Sequence, residues 1–227
     1  LASRAMLYGT ARFVDIYKQL AHIQQERGLT AEERQEMKFY NRLADGFTPL
    51  AKMFSSEFAN EVAYDSIQVH GGSGYMKDYA CERLFRDARI LNIYEGTTQL
   101  QVVAAINHVT KGTYLEQIAR YEELVCNDAT RALGEKLVAL RELFVKAIER
   151  VEALDKECAG YKDLHSRRLV EIAGYIILSH ILLRQANEVE EYVAPAKRFV
   201  KYASKKVMEA YTAILESEVS DVELYKA

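Results

Sequence analysis

Apolar residues recur three or four positions apart along most of this 227-residue chain, the spacing of α-helices that pack on one another. No period-two alternation longer than a few residues interrupts it. Two prolines and eleven glycines are also too few for a turn-rich all-β protein. We therefore predict an all-α fold. The clearest helix-packing seam is Leu133, Leu137, Leu140, Phe144, Ala147, Val151 and Leu154.

Glycine, threonine and proline signals predict the helix boundaries in the first half. Gly28 is expected to end a first helix, and Thr30 to cap the next one. Gly46 is expected to stop that second helix, with Pro49 opening a third. The predicted helices are 2–27, 30–45, 49–69, 81–92 and 97–111.

The second half reads as a plain helical bundle, so we predict two domains, 1–112 and 113–227. The stretch 164–188 is apolar on nearly every face and should be central or at a subunit contact. Its longest apolar run, 172–183, is too short to span a bilayer. Pro195 is expected to open the last long helix.

Composition limits the classes of partner and compartment. Thirty basic and 33 acidic residues give a formal net charge of −3, which argues against nucleic acid as the main partner. Cys81, Cys126 and Cys158 are odd in number and far apart, which favours reduced thiols. We expect a bacterial cytoplasmic protein, with the mitochondrial matrix as the alternative. The chain begins with Leu1 in what reads as mid-helix, so we expect a processed or truncated polypeptide.

Four of the eleven glycines fall between residues 68 and 99. Gly71 and Gly72 either end a helix or bare the backbone to a ligand or another chain, and a lone Gly-Gly pair favours the helix end. Glu95, between an aromatic residue and a glycine, is either a base or an acidic residue that complements a helix dipole. Taken alone, the dipole interpretation is favoured.

Three segments that follow one another along the chain favour the interpretation of Glu95 as a base. They are Gln68-Val69-His70-Gly71-Gly72, then Arg86-Asp87-Ala88, then Tyr94-Glu95-Gly96-Thr97-Thr98-Gln99. Together they resemble the C-terminal helical domain of the acyl-CoA dehydrogenase family, strongly over residues 1–112. The remainder resembles, more weakly, the helical extension of larger members. The resemblance implies an up-and-down bundle of the family's C-terminal type, followed by a second helical bundle.

The resemblance implies α,β-dehydrogenation of an acyl-CoA thioester to the trans-2-enoyl-CoA, with FAD as acceptor. Glu95 matches the carboxylate that removes the α-proton while the β-hydrogen leaves as hydride to flavin N5. The Glu95 N–H is then one donor to the thioester oxygen. Tyr94 and Gly96 are expected to contact substrate.

The resemblance also assigns residues to the cofactor. Gln68, Val69, His70, Gly71 and Gly72 match a segment that contacts FAD, typically that of the neighbouring subunit, and Thr97, Thr98 and Gln99 match a second FAD segment. His70 is expected to pack in a wall. Arg86 and Asp87 are expected to form an ion-paired helix anchor. The implied partners are acyl-CoA, an electron-transfer flavoprotein and further copies in a homodimer or homotetramer.

Two departures from the family pattern stand out. Val102 occupies a position that is often arginine in the family, which puts a charge role there in doubt. The family's first helical domain, its β-domain and an Arg and Phe-Gly segment that contacts flavin have no counterpart in these 227 residues. We therefore predict that this chain alone neither binds FAD tightly nor turns over.

Three weaker interpretations stay open. An acyl-CoA oxidase shares the reaction but reoxidises with oxygen, and a non-catalytic helical assembly module would share only the fold. Lys197, Lys201 and Lys205 line one face of the last long helix; a solvated face is favoured there over contact with a membrane surface. The histidines show no spacing typical of metal ligands.

Overall fold

The computed structural model describes residues 1–224, and in this range the chain is helical without a strand. The all-α prediction is confirmed. Ten α-helices follow one another in the described range, with a 3-10 turn at Glu190–Tyr192: α1 (Ala2–Arg27), α2 (Ala31–His70), α3 (Gly72–Tyr75), α4 (Ala80–Ile90), α5 (Thr98–Thr110), α6 (Thr113–Glu122), α7 (Arg131–Glu157), α8 (Tyr161–Glu188), α9 (Val193–Glu216) and α10 (Asp221–Leu224).

The connection from α1 to α2 forms as the sequence indicates. Gly28 follows α1 with a φ of 74°, a left-handed value that glycine adopts readily. Thr30 then begins α2 with a reciprocal cap: its hydroxyl accepts from Glu33 N at 3.2 Å, and Glu33 Oε2 accepts from Thr30 N at 2.9 Å. This capping box satisfies two N–H groups that the helix itself leaves unpaired.

The predicted break between Gly46 and Pro49 is wrong, because α2 runs through both residues as one helix of 40 residues. Pro49 cannot donate to the carbonyl of Asp45, but Asp45 is exposed, and solvent can satisfy that carbonyl. Around it, Phe47 and Leu50 are fully buried. Gly46 serves packing instead of a stop, since a Cβ there would lie 3.0 Å from His108 Nδ1.

Helix α8 lies at the centre of the bundle, as predicted, and packs on α1, α2, α5, α6, α7 and α9. By length and composition it could cross a membrane, contrary to the estimate from its longest apolar run. However, 78% of its most apolar window is buried inside the protein. Burial of this kind is typical of the core helix of a bundle.

One hydrophobic core extends from Ala5 to Val222 and crosses residue 112 without a gap. The seam of α7 contributes to it, with Leu137, Phe144 and Ala147 fully buried. The division into domains 1–112 and 113–227 stays a prediction. For the candidate site, the important helix is α2. It packs on α1 and α8, and it also supports α4 and α5.

Candidate functional site

The turn between α4 and α5, residues 91–97, carries the predicted base. Glu95 has a φ of 53° and is the only non-glycine residue with a positive φ in the described range. Gly96 follows with a φ of 94°, and a Cβ there would lie 2.7 Å from Gln101 Nε2. A left-handed glutamate is uncommon, and such outliers cluster at functional sites.

Two side chains of α2 hold this turn in place. Lys52 Nζ donates to the carbonyls of Leu91 and Gly96, both at 2.8 Å. Glu57 Oε1 accepts from the Thr98 hydroxyl at 2.5 Å and from Asn92 Nδ2 at 3.5 Å. The turn is thus bonded to α2 at both of its ends.

Asn60, one turn further along α2, fixes the end of α4, because its Nδ2 donates to the Ala88 carbonyl at 2.9 Å. Lys52, Glu57 and Asn60 are not among the residues predicted from the sequence. A signal was available for Lys52, which is the one charged residue in the apolar run from Pro49 to Phe54.

The turn lies at the surface of this chain. Glu95 is exposed, and Tyr94 is 47% exposed. No hydrogen bond to the Glu95 N–H occurs among residues 1–224, whereas the N–H of Tyr94 bonds to Ile90 O at 3.1 Å. The Glu95 N–H is therefore free to bind an oxygen atom of a ligand.

A group of apolar side chains on α2, α4, α5 and the turn is exposed in the part of the chain that the structure describes. Its members are large hydrophobic side chains, each at least 43% exposed: Tyr64, Leu84, Ile90, Ile93, Tyr94, Leu100 and Val103. Single exposed apolar residues are ordinary, but a group of this kind marks a contact surface.

The two predicted cofactor segments are not brought together. Thr98 packs beside Glu57, whereas Gln68 lies eleven residues further along α2. At the rise of an α-helix this separation is about 16 Å. A single small group could not contact both segments, so they fit an extended ligand or ligands of two subunits.

The segment from Gln68 to Gly72 is exposed throughout. Gly71 ends α2 with a φ of 61°, and its N–H bonds to Gln68 O at 3.1 Å. A Cβ at Gly71 or Gly72 would meet nothing within 4 Å. The backbone is therefore accessible to a ligand at the point where α2 ends. The crowded glycine is Gly74, where a Cβ would lie 2.6 Å from Ile67 O.

The side chains of the two segments differ in exposure and in the hydrogen bonds that they already make within the chain. His70 is exposed and its Nδ1 lies 2.8 Å from Ser66 O, so it packs in no wall of this chain. Thr97 caps α5 by accepting from Leu100 N at 3.3 Å. Thr98 is buried and its hydroxyl bonds to Glu57, whereas Thr97 and Gln99 are exposed.

Two further expectations receive a structural answer. Arg86 pairs with Glu82 one turn earlier on α4, at 2.9 Å, and this bond lowers the pKa of the Glu82 carboxyl. The pair is therefore local to α4 and does not involve Asp87. Val102 is fully buried in the core, so no charge role exists there.

A separate cavity of about 300 Å³ lies between α2, α8 and α9. Charged residues line it, among them Glu57, Arg167 and Glu171, and Arg167 Nε bonds to Glu171 Oε1 at 2.8 Å. Glu95 does not line it.

Two family models together match most of the chain. The model described as "Acyl-CoA dehydrogenase, C-terminal domain" matches residues 29–109, and that described as "Acyl-CoA dehydrogenase C terminal" matches residues 110–222. The chain belongs to the acyl-CoA dehydrogenase family.

Curated relatives match over short stretches. An acyl-CoA dehydrogenase of Bacillus subtilis is 47% identical over 64 residues, 28% of this chain and 17% of that protein. The caffeyl-CoA reductase-Etf complex subunit CarC of Acetobacterium woodii is 50% identical over 52 residues, 23% of this chain and 14% of that protein. The chain thus covers less than a fifth of either relative.

A solved structure shares the fold over nearly the whole chain. It is an acyl-CoA dehydrogenase of Bacillus anthracis in complex with FAD, with a TM-score of 0.67 and 17% identity. The alignment covers 99% of this chain and 42% of that one.

Proposed function

We propose that this chain is the C-terminal part of a flavin-dependent acyl-CoA dehydrogenase in which Glu95 removes the α-proton of an acyl thioester. The observation that carries the proposal is the left-handed backbone of Glu95 in a turn bonded to α2 at both ends. A glutamate that only complements the positive end of a helix dipole needs no left-handed backbone. A base that must meet one C–H bond needs a fixed position.

The neighbouring groups suit the same reaction. The Glu95 N–H has no partner within the described chain and would donate to the thioester oxygen as negative charge develops there. The exposed group of apolar side chains would be covered by the rest of the polypeptide. Exclusion of water raises the proton affinity of a carboxylate, as a base for a weak carbon acid requires.

The residues present fit FAD as two partial contact surfaces. The open backbone at Gly71 and Gly72 accepts close approach, and the exposed Thr97 and Gln99 lie at the N-terminus of α5, where a partial positive charge attracts anions. When bound, the flavin would supply the acceptor for the β-hydrogen. Because Thr98 meets α2 at Glu57, far from Gln68, the segment 68–72 is assigned to the flavin of a neighbouring subunit in a homodimer or homotetramer.

The experiment uses the complete protein that carries this chain, loaded with flavin. Wild-type protein is expected to bleach the flavin absorbance on addition of acyl-CoA. Glu95→Gln should fold and bind flavin but lose at least about 10²-fold in bleaching rate. Unchanged bleaching in Glu95→Gln would support a scaffold role in place of the enzyme.

A second experiment tests whether this chain suffices. Mixed with FAD, an acyl-CoA and an artificial electron acceptor, the 227-residue chain is expected to give no sustained reduction, because the Glu95 carboxylate stays in water. Sustained reduction by the chain alone would contradict its proposed dependence on further domains.

The electron acceptor is proposed to be an electron-transfer flavoprotein, because one relative is by name a subunit of a complex with such a protein. Peroxide formation by the complete protein in air would instead identify an oxidase. The cell compartment is proposed to be the bacterial cytoplasm, on the reduced cysteines.

The reverse reaction is a second candidate, since the same relative is named a reductase. Glu95 would then deliver the α-proton, by microscopic reversibility. Supplying an enoyl-CoA and chemically reduced flavoprotein, and comparing the rates in both directions, decides between the two.

A further inference from the structure

Lys52 contacts the turn that carries Glu95 at two points. Its Nζ donates to Leu91 O and Gly96 O, each at 2.8 Å, and lies 5.8 Å from the centre of the Tyr94 ring. An ammonium group has three N–H donors and can serve both carbonyls at once. The two carbonyls lie on either side of Glu95 in the chain, so one side chain closes the turn.

Lys52 lies at a position of α2 that is only partly exposed to solvent, so its charge is not explained by solubility. Its neighbours Ala51 and Met53 are buried, and Lys52 itself is half-buried. A charged amine in such a place costs free energy unless it is hydrogen-bonded. The two carbonyls of the turn supply those bonds.

Among the side chains that contact the turn, Lys52 makes the shortest bond to the left-handed pair, Glu95 and Gly96. The backbone bond from Thr98 N to Asn92 O, at 3.3 Å, spans this pair but bonds to neither residue. Glu57 bonds to Asn92 and Thr98, which lie outside the left-handed pair of residues. Gln101 Nε2 reaches the carbonyls of Glu95 and Gly96 only at 3.4 and 3.3 Å, which is long for a hydrogen bond. Lys52 makes the short bond to Gly96 O.

We propose that Lys52 is a positioning residue that holds Glu95 in its left-handed conformation and so aims the carboxylate. The proposal rests on the proposed function of Glu95. Without the ammonium group, Glu95 can relax to the right-handed or extended region that glutamate prefers. That change rotates the Cα–Cβ bond and moves the carboxylate away from the substrate.

The first test measures the turn itself in the 227-residue chain. Lys52→Met removes the donor, and Lys38→Met is the matched control, because Lys38 is exposed on the same helix. Hydrogen exchange of the Tyr94 and Thr98 amides, which bond to Ile90 O and Asn92 O, is expected to quicken in Lys52→Met alone. Exchange equal to that of the control in this turn would overturn the proposal.

The second test measures the chemistry in the complete flavin-loaded protein. Lys52→Met is expected to lower kcat about 10- to 100-fold with little change in KM, the cost of a misplaced group. A substrate deuterated at the α-carbon should show a larger isotope effect, since proton removal becomes slower. Lys52→Arg, which keeps N–H donors on a cation, should recover part of kcat.

The controls separate failure of this proposal from failure of the proposed function. If Glu95→Gln is inactive while Lys52→Met keeps wild-type kcat and isotope effect, only the positioning role is wrong. If Glu95→Gln is fully active, the proposed function is wrong. If Lys52→Met does not fold by circular dichroism, Lys52→Leu, which also removes the N–H donors, takes its place under the same criteria.

Discussion

Gly174 on α8 lies against the edge of the Phe54 ring on α2: a Cβ built at residue 174 would stand 2.0 Å from Phe54 Cε2. Phe54 is buried and also packs edge-on against Tyr175, with ring centroids 5.0 Å apart. The ring therefore cannot move aside freely. This contact joins the central helix of the second half to the helix that supports the candidate site.

Gly174→Ala is expected to destabilise the chain by about 1–3 kcal/mol, because overpacking a filled core forces side chains from their rotamers. Chemical denaturation monitored by circular dichroism measures the change. Gly9→Ala is the control, since its Cβ would meet only Ile181 Cδ1 at an ordinary 3.7 Å. A loss of stability in Gly9→Ala as large as that in Gly174→Ala would contradict the packing explanation.

Glu95→Gly is expected to leave the stability of the chain unchanged or to raise it by up to about 1 kcal/mol, because glycine adopts a positive φ without strain. The control is Ala104→Gly, at an exposed helical position of α5, which should cost about 1 kcal/mol. Thermal unfolding of both variants compares them. Equal losses would mean that the Glu95 conformation carries no strain.

Tyr114→Phe tests how α2 continues past Pro49. The Tyr114 hydroxyl donates to Gly46 O at 2.6 Å, and burial raises the pKa of this phenol, which keeps its proton in place. Removing it should cost about 1 kcal/mol, the usual worth of a buried hydrogen bond. Tyr8→Phe, at a residue that is 69% exposed, should have no effect on the denaturation midpoint.

Two buried histidines predict a loss of stability in mild acid. Burial, and then the nearby Arg141, lowers the pKa of His180 to about 4; burial, and then Arg168, lowers that of His165 to about 4 as well. Each ring must be neutral in the folded state, whereas the unfolded chain takes up a proton near pH 6.5. The stability is thus complete above about pH 6.5 and falls towards pH 4, by at most about 1.4 kcal/mol per pH unit for each histidine.

Replacement of His180 should flatten this pH dependence. His180→Phe keeps a ring next to Tyr121, with which His180 stacks at 6.0 Å, but cannot take up a proton. Denaturant midpoints between pH 7 and pH 5 should therefore fall less steeply than in the wild-type chain. Tyr8→Phe, at a residue that is 69% exposed, provides the control: it keeps both buried histidines and should leave the slope as it is.

Local signals predicted the elements that depend on local chemistry. The caps at Gly28 and Thr30, the seam of α7 and the helical class follow from contacts within a few residues, which any sequence window contains. The predicted stop at Gly46 failed because its outcome depends on distant residues. His108 and Tyr114 pack against Gly46 and hold α2 together across Pro49.

The candidate site divides in the same way. Its proposed chemistry follows from the family resemblance that the order of Gln68 to Gly72 and Tyr94 to Gln99 carries, which implies a carboxylate base and two cofactor segments. These assignments stay proposals. Only the tertiary structure decided that Glu95 is left-handed and that Lys52 and Glu57 hold its turn. It also decided that the second segment packs against α2 far from the first. Lys52 and Gly96, which are joined by a hydrogen bond, are 44 residues apart, and a contact at that separation arises from how helices pack, which no local pattern encodes.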